Sequence, residues 1–216
     1  MYLILVRHGE SVWNKENKFT GWVDVDLSKK GEEEALDAAK KIDSLNIDIN
    51  LCFTSILKRA IHTLDIIYNY LNLNCLVIKN YNLNERHYGA LQGLNKDECK
   101  VKFGDELFLK YRRSFDTRPP MITENNLSIR TDVYNPKSES LHDTYNRVVN
   151  YFNQNIKKEL TNKNILIAAH GNTLRSLIKY LDNISDSDIE KVEVKTGEVI
   201  IYEFDENLNV ISKKTI

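Results

Sequence analysis

Two apolar runs, one near each end of the chain, each deliver a His-Gly pair. Tyr2-Leu3-Ile4-Leu5-Val6 runs into Arg7-His8-Gly9-Glu10-Ser11, and Ile165-Leu166-Ile167-Ala168-Ala169 runs into His170-Gly171-Asn172-Thr173. Both are of strand length, wholly apolar and stopped by Gly, the pattern of strands covered on both faces. Helical periodicity fills much of the chain between them. Strands alternating with helices imply right-handed crossovers in a mostly parallel sheet, which places neighbouring carboxyl ends on one side. Ligands of open α/β sheets bind just beyond those ends. The expected fold is therefore a three-layer α/β sandwich, a mostly parallel central sheet flanked by helices, with His8 and His170 at one sheet edge.

The intervening elements follow from period and punctuation. Ser28 is an N-cap for a helix bearing Ala35, Leu36, Ala38, Ala39, Ile42 and Leu45. Leu51 to Ser55 reads as a strand, followed by a helical stripe of Leu57, Ala60, Ile61, Leu64, Ile67, Tyr68 and Leu71, then by a short strand at Cys75 to Ile78. Ser140 and Asp143 form a capping box before the stripe Leu141, Tyr145, Val148, Val149, Phe152 and Ile156. Leu174, Leu177, Ile178 and Leu181 mark another helix, and Val199 to Tyr202 and Val210 to Ser212 two closing strands. Phe19-Thr20-Gly21-Trp22 reads as an ordered loop, and Leu83 to Gly93 as neither strand nor helix. One helical lobe is expected over Lys96 to Ser114, stopped by Arg118-Pro119-Pro120, with a surface excursion over Met121 to Glu139. Lobe and excursion, about 95–139, belong to a single domain spanning 1–216.

Composition narrows the partners. The 30 basic and 31 acidic residues leave a net charge of -1, which gives no reason to expect nucleic acid or a membrane surface. Cys52, Cys75 and Cys99 form no C-x-x-C pair, which fits reduced thiols and a cytoplasmic setting. The N-terminal apolar run is too short for a signal-peptide core, and no segment approaches the ~20 residues needed to cross a bilayer.

Two histidines at one sheet edge are either a metal centre or a phosphohistidine site. A metal would want carboxylates or further His and Cys nearby. The companions here are Arg7, Arg59, Arg112 and Arg113, which match phosphate oxygens bidentately and are poor proton donors. Arg59 falls in the first turn of its helix, where a cation opposes the macrodipole and so invites an anionic ligand. Cationic neighbours lower the pKa of an imidazole, so His8 is suited to attack phosphorus. The leaving oxygen needs an acid, and Glu85 is the carboxyl candidate, provided that burial or phosphate charge raises its pKa. The bland readings are a satisfied strand-end histidine, a surface Arg7, and a loop salt bridge between Glu85 and Arg86.

Arg7-His8-Gly9-Glu10-Ser11, Phe19-Thr20-Gly21-Trp22, Leu57-Lys58-Arg59-Ala60-Ile61-His62-Thr63, Leu83 to Gly93, Arg112-Arg113 and His170-Gly171-Asn172 together resemble the cofactor-dependent phosphoglycerate mutase family of the histidine phosphatase superfamily. The likeness spans nearly the whole chain. Arg-His-Gly alone would indicate only the superfamily; the block from Glu85 to Gly93 is far more specific to the mutase branch. The resemblance implies a phosphoglycerate mutase-like fold with His8 as the phosphorylated nucleophile, Glu85 as general acid and base, and His170 as the partner that stabilises the phosphoryl group. Arg7 and Arg59 would grip that group. It further implies that Ser11, Asn14, Thr20, Gly21, Arg86, Tyr88, Lys96, Arg112, Arg113, Gly171 and Asn172 hold phosphoglycerate or bisphosphoglycerate, and leaves His62, His87 and His142 structural.

The implied reaction is the glycolytic and gluconeogenic interconversion of 3-phosphoglycerate and 2-phosphoglycerate, an isomerase reaction in the cytoplasm. Its primer would be 2,3-bisphosphoglycerate, no metal is required, and the partners are small phosphorylated three-carbon acids. The family's homodimer or homotetramer is carried over with a monomer left open. Two departures from longer members stand out: a shorter Met121 to Glu139 stretch, and a chain that ends at Ile216 without the family's C-terminal tail. Without that cover, water would reach phospho-His8 and favour hydrolysis. The nearest rival reading is a phosphatase of phosphoglycerate, bisphosphoglycerate or another phosphomonoester on the same scaffold. A metal-dependent hydrolase and a non-catalytic phosphate-binding module are the others.

Overall fold

The computed structural model describes residues 1–122 and 131–216. Strands β1 (Tyr2–Arg7), β2 (Leu51–Thr54), β3 (Leu76–Lys79), β4 (Ile165–Ala169), β5 (Val199–Phe204) and β6 (Val210–Thr215) form one sheet in the order β3-β2-β4-β1-β5-β6. The first four in that order pair in parallel. β5 runs antiparallel to β1, and β6 antiparallel to β5, the latter because the short turn between them permits only a hairpin.

Alternation along the strands builds two cores. Leu3, Leu5, Phe53, Ile165 and Ile167 face one side of the sheet, and Ile4, Val6, Cys52, Leu166 and Ala168 the other. Helix α1 (Val12–Lys15) is a single turn; the second face is covered by α2 (Lys29–Asp43) and α3 (Lys58–Tyr70), through Ala38, Ala39, Ile42, Leu64 and Ile67. The first face is covered by α6 (Leu141–Tyr151) and α7 (Gly171–Leu181), through Val148, Leu174 and Leu177. The result is the expected three-layer sandwich. Ser28 and Ser140 cap α2 and α6 as their sequence signatures indicate, each accepting the backbone N–H three residues on at 3.1 Å.

The helical lobe expected over Lys96 to Ser114 is present as two helices, α4 (Lys96–Phe103) and α5 (Asp105–Arg113), because Gly104 ends the first with φ at 77°, a conformation open to glycine. Val12–Lys15, ahead of the Phe19 to Trp22 loop, is helical because Ser11 and Asn14 form a capping box. Of the excursion expected over Met121 to Glu139, residues 123–130 lie outside the described residues, and its end is no surface segment. Ser138 and Glu139 are buried, Ser138 donating to the Pro119 carbonyl and Glu139 paired with buried Arg147. Among the described residues no helix is long and apolar enough to cross a membrane.

Candidate active site

Neighbouring parallel strands deliver the two histidines. Arg7 on β1 pairs in register with Ala169 on β4, and the His8 N–H donates to the Ala169 carbonyl at 2.9 Å, so His8 and His170 leave the sheet side by side. Their ring centroids are 5.0 Å apart in an edge-on arrangement. Both are buried. Burial, with Arg59 and Arg7 close by, holds His8 well below the usual imidazole range; His170 is held down by burial and by Arg59, His8 and Arg7. Both rings are therefore neutral at neutral pH. His8 Nδ1 lies 2.7 Å from the Gly9 carbonyl, which can only accept, so the ring proton sits on Nδ1 and Nε2 keeps its lone pair. Thr63, one turn after Arg59 on α3, takes the Gly9 N–H at 3.1 Å and fixes that turn.

Arg59 is fully buried rather than on a solvated face. It donates to the Val23 and Gly21 carbonyls at 3.0 and 2.7 Å, tying α3 to the loop read as ordered. That loop needs glycine at residue 21, where φ is +54° and a Cβ would stand 2.0 Å from Gln92 Oε1. Burial pushes Arg59 down to about 10, so it remains a cation. Arg7 donates to the Val194 carbonyl and keeps Nε buried and unpartnered.

Glu85 pairs with no Arg86 guanidinium. Its Oε1 accepts the backbone N–H groups of Arg86 at 2.8 Å and Asn172 at 3.1 Å, the latter in the first turn of α7. Arg86 instead donates to the Glu139 and Thr117 carbonyls, both at 2.8 Å, and lies 5.1 Å from the Tyr88 ring centre.

The cleft at this sheet edge holds about 110 Å³. Of the sequence-derived candidates, Arg7, His8, Asn14, Thr20, Gly21, Arg59, Glu85, Tyr88, Lys96, Arg112, Arg113, Gly171 and Asn172 line it. Three stand behind the lining. Ser11 caps α1 and donates to Asn14 Oδ1 at 2.9 Å, Arg86 braces the wall under Tyr88, and His170 packs against His8. The other histidines do structural work: His62 pairs with Asp26, His142 stacks on Phe115, and His87, pushed down to about 4 by burial, accepts the Gly89 N–H.

Sequence reasoning missed Lys18, Phe19, Arg175, Glu193 and Val194 as lining residues. Arg175 carried a signal, a charge inside the apolar stripe of α7 one turn after Asn172, whose Oδ1 it reaches at 2.9 Å. Glu193 carried none. It meets Arg113 at 2.9 Å only through the fold.

Electrostatically the cleft is an anion receptor. Arg7, Lys18, Arg59, Lys96, Arg112, Arg113 and Arg175 face two carboxylates, Glu85 and Glu193. Arg7 Nε, Thr20 Oγ1 and Arg175 Nε, all on lining residues, are buried without protein partners, as is His170 Nδ1. Buried polar atoms are rarely left so, and this cluster is what a polyanion's oxygens would complete. The positive end of α7 adds to the same field.

Fold and site define the class: an α/β protein that sets two buried imidazoles beside a cation-lined cleft at one edge of its sheet. Solved structures share the fold. Bacillus stearothermophilus YhfR superposes with a TM-score of 0.76 at 23% identity, covering 97% of this chain and 93% of that one. A mycobacterial glucosyl-3-phosphoglycerate phosphatase complexed with VO3 superposes with a TM-score of 0.74 at 18% identity, covering 99% and 96%. The 2,3-bisphosphoglycerate-dependent phosphoglycerate mutase of Treponema denticola is 48% identical over 99% of this chain and 91% of its own length, and that of Staphylococcus saprophyticus 49% identical over 98% and 97%. The chain belongs to the histidine phosphatase superfamily (branch 1), whose pattern matches residues 3–215, and within it to the 2,3-bisphosphoglycerate-dependent phosphoglycerate mutases.

Proposed function

We propose that the chain interconverts 3-phosphoglycerate and 2-phosphoglycerate through a phosphohistidine on His8. The carrying observation is the His8 ring itself, neutral and buried, with Nδ1 spent on the Gly9 carbonyl and Nε2 bare in a cation-lined cleft. His8 Nε2 attacks phosphorus, the ester P–O bond breaks, and Glu85 protonates the departing oxygen; in the return step Glu85 takes the proton of the attacking hydroxyl. Arg7 and Arg59 hold the equatorial oxygens with His170, so catalysis rests on positioning and fixed charge.

The lining also fits the primer implied by the family. Arg7 and Arg59 flank the histidines, while half-buried Lys96, Arg112 and Arg113 form a second cationic group for the far anionic end. When bound, 2,3-bisphosphoglycerate supplies the phosphoryl group that loads His8. Substrate entry is set by the same residues, which suit a phosphorylated three-carbon acid.

The deciding measurement supplies 3-phosphoglycerate with catalytic 2,3-bisphosphoglycerate and follows 2-phosphoglycerate and inorganic phosphate together. Formation of 2-phosphoglycerate is expected to dominate; dominant phosphate release would replace the mutase reading with a phosphatase.

Lys96 gives the reaction a pH signature. Burial, with Arg112 and Arg7 nearby, pushes its ammonium down to about 8. Its charge is present below that pH and lost above it, so kcat/KM for 3-phosphoglycerate falls on the alkaline side as free enzyme loses the proton. Lys96→Arg, whose guanidinium stays charged, is expected to move that limb to higher pH. A limb that stays in place takes Lys96 out of the anion site.

A further inference from the structure

His170 has one nitrogen engaged and one idle. Its Nε2 lies 2.7 Å from Ser55 Oγ, and its Nδ1 is buried without a protein partner. Ser55 is itself fully buried, just past the end of β2, and its Oγ already accepts the Leu57 N–H at 3.1 Å. A neutral ring carries one proton, on one of two nitrogens. With the proton on Nε2, Ser55 would accept twice, its own hydrogen would have no acceptor, and Nδ1 would present a lone pair to the phosphoryl oxygens. With the proton on Nδ1, the Ser55 hydroxyl donates to Nε2, and the ring offers an N–H to the anion. The first arrangement leaves both the Ser55 hydrogen and the Nδ1 lone pair without a protein partner; the second leaves only the Nδ1 hydrogen, which a bound anion would take.

We propose that Ser55 is a positioning residue that holds His170 in its Nδ1–H tautomer and thereby makes Nδ1 the donor to the transferred phosphoryl group. The two rings then carry opposite faces of the same chemistry. His8, with Nδ1 bound to the Gly9 carbonyl, presents a lone pair; His170, with Nε2 bound to Ser55, presents a proton. This inference rests on the reading of His170 as the phosphoryl group's partner.

The test is long-range proton–nitrogen NMR on protein labelled with nitrogen-15 histidine, which distinguishes a protonated ring nitrogen from a bare one; His170→Gln assigns the signals. The expected result is a protonated Nδ1 and a bare Nε2 at His170 in the unmodified protein. In Ser55→Ala the signature shifts toward the Nε2–H form, and kcat falls about tenfold with KM little changed, as expected for an interaction made mainly in the transition state. A protonated Nε2 in the unmodified protein overturns the proposal without needing the variant to fold. So does a Ser55→Ala protein that loses kcat with the tautomer unmoved. Wild-type turnover in His170→Gln would instead sink the underlying reading of His170.

Discussion

Replacing His8 with alanine is expected to abolish the phosphoenzyme and lower mutase turnover by on the order of 10⁴-fold or more. No other ring is expected to take over. His170 has its Nε2 engaged by Ser55 and, in the proposed tautomer, a proton on Nδ1, and the remaining histidines are occupied by Asp26, by Phe115 and Asp116, and by the Gly89 N–H. The measurement is labelling by radioactive 2,3-bisphosphoglycerate, read as an acid-labile, base-stable phosphoryl group on the protein, alongside steady-state turnover. The side chain makes one hydrogen bond, to its neighbour's carbonyl, so its removal alters chemistry more than structure. A His8→Ala protein that still turns over at the parental rate would overturn the mechanism.

Arg147→Ala is expected to cost about 3–5 kcal/mol of stability by denaturant unfolding. Arg147 and Glu139 form a buried ion pair with side-chain exposures of 5% and 0%, joined through Nη2 and Nε, each at 2.9 Å. Truncation strands the carboxylate of Glu139 in the interior. It also releases the turn that carries the proposed acid, because Arg147 donates to the carbonyls of Asn82 at 2.8 Å, Tyr81 and Asn84 at 3.2 Å, and Glu85 at 3.3 Å. Trp22 closes the arrangement, lying under the guanidinium with its indole N–H on the Glu85 carbonyl. The double variant Arg147→Met, Glu139→Gln is expected to lose less than the sum of the single losses, since no charge is then buried alone. Additive losses would show that the ion pair is not the source of the effect.

Arg147 also shows where sequence reading stops. It lies between Tyr145 and Val148 in an amphipathic helix, where a charge ordinarily faces water, and its partner Glu139 lies in a stretch without period. Neither residue signals burial until the chain brings both together. Cys52 and Cys75 behave the same way: separate in sequence, one on β2 and the other just before β3, they lie with sulfurs 3.6 Å apart. Ser55 reads as the last residue of a strand, and only the β2–β4 pairing places it against His170. The histidines themselves were legible because their signal is local and repeated. An apolar strand followed by His-Gly fixes both the burial of the strand and the direction in which the polar residue leaves it. Arg59 was legible for a related reason, a cation at the wrong end of a helix. The helical character of the lobe was legible too, but its division was not: only the positive φ of Gly104 separates α4 from α5.

The placement of β1 between β4 and β5 bears on how the protein is made. Leu3 pairs with Ile165 on one side and Tyr202 on the other, so β1 leaves the ribosome more than 150 residues ahead of either partner strand. At about 5–20 residues per second, that interval is on the order of ten seconds. Meanwhile β2 and β3, joined through α3 alone, pair early, and β1 remains an apolar ribbon with both edges open. The strand that carries the proposed nucleophile is thus one whose pairing depends on two strands far along the sequence, β4 and β5.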